Sequence, residues 1–358
     1  MSPFRNTAVH AAALLVLLGG SAGCATSPPA SSGSAATDAG SSASDPDRPG
    51  REEPGGAKGT GTDAGADCPA TAKLDNAPER VVTLDAGAAA FLVALGLEDR
   101  IVGTAATEFK ADFSGALREK LDALPVLSRT TADKETVIAA EPELVTGISR
   151  YELGSFDGTP TQEQLARNGI AAMVACDTAK GVSTGIDATY RYIAHLAEVF
   201  RVPGKGKSLI AEMRREAAAG TAPARHAGSD EVPVLSLSAA PTGGAGIHTS
   251  GGSSFANGVI TMAGGRNVAA STLADFATLS AEEVTRSNPE VILAVTGFSR
   301  QSGRQLIAAI KSSPLLADTD AVKNDHVIAI PQSILLSPSV LSAQAVRTVA
   351  EAVEKASS

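Results

Sequence analysis

Two stretches of this chain repeat one short plan at an offset of 147 residues. Glu135, Pro142, Glu143, Leu144 and Val145 are answered by Glu282, Pro289, Glu290, Val291 and Ile292. Each stretch reads as a short helix, a Pro-Glu step and an apolar strand. The echo continues past the strands, into Thr146-Gly147-Ile148-Ser149-Arg150 and Thr296-Gly297-Phe298-Ser299-Arg300. Two matching blocks in the same order point to two lobes of like construction. Such self-similarity bears on the fold and leaves function open.

The surrounding sequence has the rhythm of parallel βα units. Short apolar runs (Val81 to Leu84, Ile101 to Gly103, Leu144 to Gly147, Ala171 to Ala175) alternate with helical patterns such as Ala88 to Leu95. The second half repeats this with Val234 to Leu237, Val291 to Val295 and Val327 to Ile330. Strands spaced by helices pair in parallel, because each crossover returns the chain to the same edge. Between the halves, Ala188 to Phe200 sets Tyr192, Leu196 and Val199 at helical spacing. Val202-Pro203-Gly204 interrupts it, and Lys205 to Ala219 resumes with Leu209, Ile210 and Met213 on one face. This is either the connection between two lobes or a helix pair on the surface of one domain.

The start of the chain is of a different kind. Arg5 precedes an apolar stretch, Ala8 to Leu18, too short to span a bilayer, and small residues lead to Cys24. This resembles a lipoprotein leader over 1–24 with Cys24 as the lipid anchor, although Ser21 stands where Leu is usual. The alternative is an ordinary export signal cut near Ala22. Residues 25–67 contain no Val, Ile, Leu, Met, Phe, Trp or Tyr. Such a segment cannot offset its ordering entropy and is expected to be a disordered tether. The organisation expected is therefore a leader (1–24), a tether (25–67), a first α/β lobe (68–184), a connecting helical segment (185–229) and a second α/β lobe (230–358).

Charge and composition exclude several function classes. The net charge is -9, which argues against a nucleic-acid partner. With nine Phe, three Tyr and no Trp, a stacking platform is hard to build, so recognition is expected to lean on charge and hydrogen bonds. No HExxH or Walker A pattern is present, and the five His are scattered singly. That disfavours direct metal ligation and a nucleophile–base pair, so no cofactor is expected and the chain is not read as an enzyme.

Several blocks in order carry a family resemblance. They are Pro78 to Leu84 with Leu92 to Gly103, Glu135 to Val145, Ala263 to Val268, Asn288 to Ile292, and Leu315 to Val327. Over about 75–355 the chain resembles the iron-siderophore and cobalamin class of substrate-binding proteins of ABC importers. The resemblance implies a bilobal class III periplasmic-binding fold: two α/β lobes joined by a single long helix, with ligand between them. It also implies a lipid-anchored monomer on the outer face of the cell membrane, handing ligand to a membrane permease with its ATPase. The leading ligand is a ferric-siderophore chelate. Haem or cobalamin is the alternative within transport, and an exported hydrolase acting on a metal chelate is the alternative of another class.

Ligands of open α/β sheets sit beyond the carboxyl ends of the strands. That points to Arg150 and Arg300, each just after an equivalent strand and suited to gripping carboxylate or catecholate oxygens of an anionic chelate. Tyr151 and Phe298 flank them, and Phe109 and His248 are further candidates, or these side chains serve packing and loop tips. Glu135 and Glu282 share a repeat position at helix starts. The resemblance implies that they dock the permease, while acids also favour such positions locally. Cys68 and Cys176 are expected to form a disulfide in an oxidising compartment.

Overall fold

The computed structural model describes residues 74–175, 185–220, 231–243 and 246–358. The leader, the tether, and Cys24, Cys68 and Cys176 lie outside the described residues. In the first half, β1 (Val81–Thr83), β2 (Ile101–Thr104), β3 (Leu144–Gly147) and β4 (Ala171–Val174) form a sheet in the order β2-β1-β3-β4. The second half contains β5 (Val232–Leu237), β6 (Ile247–Ser250), β7 (Gly265–Asn267), β8 (Phe276–Leu279), β9 (Val291–Thr296) and β10 (Val327–Pro331). Four of these form a second sheet, β10-β9-β5-β7, while β6 and β8 pair separately and antiparallel. Every pairing in the two larger sheets is parallel.

Read from its other edge, the second order is the first with β5 for β1, β7 for β2, β9 for β3 and β10 for β4. The repeat in sequence is thus a repeat of topology, and it extends to local geometry. Helices Lys134–Ala139 and Ala281–Ser287 precede β3 and β9. Asp133 and Ser280 cap them, accepting hydrogen bonds from the Thr136 and Glu283 amides. After the helices, Glu141 (φ 47°) and Asn288 (φ 39°) turn left-handed immediately before Pro142 and Pro289. The left-handed residue stops the helix, and the proline cannot continue it.

Burial follows from the parallel arrangement, in which helices cover both faces of a sheet. All residues of β1, β3 and β5 are buried. Helix Ala86–Ala94 is apolar all round and eight of its residues are buried, as its composition requires. Its Phe91 ring meets Tyr192 edge-on at 5.1 Å.

The connection between the halves differs from the single long helix that the resemblance implies. It contains two helices, Ile186–Val199 and Pro203–Gly220. They break at Phe200 to Val202, where Arg201 is left-handed at φ 57°. Pro203 supplies the reason, since it lacks an N–H and is accommodated at the first position of a new helix. One apolar core runs through both halves. It contains Val81 and Phe91 from the first, Tyr192, Ile193 and Leu196 from the connection, and Val234, Val291 and Val346 from the second. Thr189 and Ser342 add a buried hydroxyl pair at 3.0 Å between the connection and the last helix, Ser342–Ala356. Among the described residues no helix is long and apolar enough to cross a membrane.

Candidate functional site

A cavity of about 260 Å³ opens beyond the carboxyl ends of the strands of both sheets. Its first wall comes from Asp85 after β1, Phe109 after β2, and the turn after β3 that carries Ile148, Ser149, Tyr151 and Glu152, with Phe156 beyond. Its second wall comes from Ser250 at the end of β6, Ser253 to Phe255, Asp275 and Phe276 at the start of β8, Phe298 after β9, and Gln332, Ser333, Leu336 and Ser337 after β10. The rule for ligand placement in α/β sheets is met in both halves at once.

The turn after β3 is a short 3₁₀ helix, Arg150–Glu152, held by a capping box. The Ser149 hydroxyl accepts from the Tyr151 amide, and the Glu152 carboxyl accepts from the Ser149 amide at 3.1 Å. That box turns Glu152 inward and Arg150 outward. Inward, Glu152 is hydrogen-bonded to Asp85, which is 4% exposed. Asp85 also caps helix Ala86–Ala94, accepting from the Gly87 and Ala88 amides, and reaches across to the Ile148 amide at 3.2 Å. Removal from water raises both carboxyls above their ordinary range. For Glu152, the neighbouring Asp85 charge raises it further. Glu152 donates the hydrogen bond to Asp85, which favours the protonated form of Glu152. Gly147 makes the approach possible, because any Cβ there would collide with the Glu152 carboxyl.

Outward, the Arg150 guanidinium lies 2.6 Å from the Asp275 carboxylate on the facing wall. The Tyr151 hydroxyl donates to the same oxygen at 2.7 Å, and the guanidinium carbon sits 5.0 Å from the Tyr151 ring centre. Burial and then the bond to Asp275 raise the Tyr151 phenol, which stays protonated as a donor.

Of the residues singled out from sequence, Tyr151, Phe298 and Phe109 line the cavity. Arg150 stands at its rim, and Arg300 lies exposed on the loop after β9, outside the lining. The two arginines therefore do not form a shared cationic grip, because Asp275 engages one and the other faces solvent. Arg150 does pair with an acid, but the partner is Asp275 and not its neighbour Glu152. His248 is not at a loop tip. It belongs to β6, exposed, with Nδ1 3.0 Å from the Thr278 hydroxyl of β8, and it does not line the cavity. Glu135 and Glu282 are exposed in the first turns of their helices, and Glu135 meets the Lys134 ammonium at 3.1 Å. Among the described residues no cluster of three or more His, Cys, Asp or Glu could hold a metal ion.

Sequence reasoning missed Asp85, Glu152, Asp275 and the phenylalanines 156, 255 and 276. Asp85 and Glu152 follow β1 and β3, so the strand-end rule already pointed near them. Asp275 and Phe276 carry no such signal, since their place is set by an antiparallel pair joining residues about thirty positions apart. The scarcity of aromatics in the chain does not carry over to the cavity. Six aromatic side chains line this one cavity.

Comparison with known proteins adds the family. Residues 81–334 match the model of a family described as periplasmic binding protein. A cobalamin-binding protein of Halobacterium salinarum is 27% identical over 273 residues, covering 74% of this chain and 67% of the relative. Among solved structures, an ABC-type Fe3+-hydroxamate transport system from Saccharomonospora viridis superposes with a TM-score of 0.63 at 24% identity, over 78% of this chain and 94% of that one. The heme-binding protein RhuT from Roseiflexus sp. RS-1 gives 0.62 at 24% identity, over 78% and 99%.

Proposed function

The chain belongs to the periplasmic binding protein family, and on that premise we propose that it captures an intact metal chelate outside the cytoplasm and delivers it to an ABC permease. Members of this family are solute-binding proteins and not enzymes, which removes the hydrolase alternative. The observation that carries the proposal is the cavity itself. It is closed by both sheets at their strand ends and lined by Phe109, Tyr151, Phe156, Phe255, Phe276 and Phe298, with serines and Gln332 between them. Apolar walls with a few placed polar groups suit a bulky chelate that presents carbon surface and some oxygen or amide edges.

A ferric siderophore of the hydroxamate kind is the leading ligand, in keeping with the similarity to the Fe3+-hydroxamate system. Cobalamin or haem is a second reading, favoured by the density of aromatic side chains and by the cobalamin-binding relative. The lipid anchor at Cys24 and a monomeric state complete the proposal.

Thermal unfolding of the purified protein with ferrichrome, cyanocobalamin and hemin tests it. A probe present at a hundred times its Kd raises stability by about 2.7 kcal/mol, which corresponds to roughly 5–10 °C in Tm. Absence of a shift with every chelate would overturn the proposal.

A further inference from the structure

Taking the cavity as the chelate site proposed above, on which this step rests, we infer that it selects by charge. It accepts an uncharged or cationic chelate with an apolar face and discriminates against polyanionic ones.

Two independent features of the lining lead there. The first is where the aromatics are. The chain has nine Phe, three Tyr and no Trp, and half of these side chains line this single cavity. Phe156, Phe276 and Phe298 are 51%, 63% and 54% exposed, an uncovered apolar rim that a ligand would cover. The second feature is charge. Among the described residues the lining contains no Lys, Arg or His, but three acids, Asp85, Glu152 and Asp275. The nearest guanidinium, Arg150, is bound to Asp275 at 2.6 Å, so the rim carries a compensated pair. On the floor, Asp85 and Glu152 face each other with no basic side chain between them among the described lining residues.

A trianionic tris-catecholate entering this cavity would lose its water and meet acidic side chains with no basic one among the described lining residues, which is costly between low-dielectric walls. A neutral chelate loses little on entry. A chelate with a free ammonium gains attraction from the aromatic faces and the acids.

Calorimetric titration of the full chain with ferrichrome (uncharged), ferrioxamine B (cationic) and ferric enterobactin (trianionic) tests the inference. The uncharged or the cationic chelate is expected to bind at least ten-fold tighter than the trianion. Equal or tighter binding of the trianion would overturn the charge selection while leaving the chelate-binding reading in place. Absence of binding by all three, and by cyanocobalamin, would overturn that reading and this inference with it. The variant Asp275→Asn removes one acid from the lining and the charge that Arg150 meets there. It is expected to raise the affinity for the trianion relative to ferrichrome about ten-fold. An unchanged ratio between the two chelates in that variant would overturn the electrostatic account.

Discussion

The Arg150 guanidinium and the Asp275 carboxylate meet at 2.6 Å across the mouth of the cavity, from positions 125 residues apart in the chain. This contact joins the two halves at the site itself. It also cancels the charge on which a purely sequential view of Arg150 depends. The shared core behind it, running through helix Ile186–Val199, restrains the halves from the other side.

The two arginines are expected to separate in their effects. Arg300 is exposed and outside the lining, so Arg300→Ala should leave chelate affinity within two-fold. Phe298, two residues before it, lines the cavity and is 54% exposed. Phe298→Ala should weaken binding about ten-fold or more while changing stability by about 0.5 kcal/mol or less, since a surface side chain is lost. Arg150→Ala should cost about 1 kcal/mol, because the arginine is half exposed while its partner Asp275 is largely buried and keeps the Tyr151 hydroxyl. Calorimetry and urea unfolding on the same three variants measure both quantities.

The Asp85–Glu152 pair predicts a pH dependence of stability with a definite sign. Both folded-state carboxyls titrate above their ordinary values because they are removed from water. The folded chain therefore holds protons that the unfolded chain has released, and stability falls as pH rises from the ordinary carboxylate range through the raised values. Glu152→Gln keeps the hydrogen bond to Asp85 without a proton to lose. Its Tm relative to the unmodified protein should rise as pH is raised above the ordinary carboxylate range. A parallel Tm curve for the two proteins would contradict the protonated Glu152.

Gly147 is required by the carboxyl that packs against it. A Cβ there would collide with the Glu152 carboxyl, and swinging that carboxyl away would break its bonds to Asp85 and to the Ser149 amide. Gly147→Ala is expected to cost about 1–3 kcal/mol in urea unfolding. Combined with Glu152→Ala, most of that overpacking cost should disappear, which a double-mutant cycle detects.

Glu135 and Glu282 sit at matched positions of the two repeats, exposed, one per half. If they dock the permease, the double variant Glu135→Lys and Glu282→Lys should abolish uptake in cells while chelate binding in solution stays within two-fold. Intact uptake would leave them as local helix-start acids.

Much of the architecture is legible in the sequence because it rests on local rules. The Pro-Glu step that follows Glu135 and Glu282 marks a helix end and a strand start, and the structure repeats even the left-handed residues before Pro142 and Pro289. Strands β6 and β8 were not legible. Ile247-His248-Thr249-Ser250 alternates over only four residues beside glycines, and it becomes a strand through its partner Phe276–Leu279. The break at Arg201 was legible in Pro203, against the single helix of the resemblance.

The sequence by itself determined the duplicated α/β plan, the helix caps, the strand ends near which a ligand site must lie, and the family. Those features depend on residues within a turn or a strand of one another, where steric and hydrogen-bonding rules act directly. Only the tertiary structure decided the character of the site. It brought Asp275 to Arg150, Glu152 to Asp85, and half of a sparse set of aromatics to one cavity. Charge compensation and desolvation depend on distance in space, and no spacing along the chain encodes which acid will reach which base.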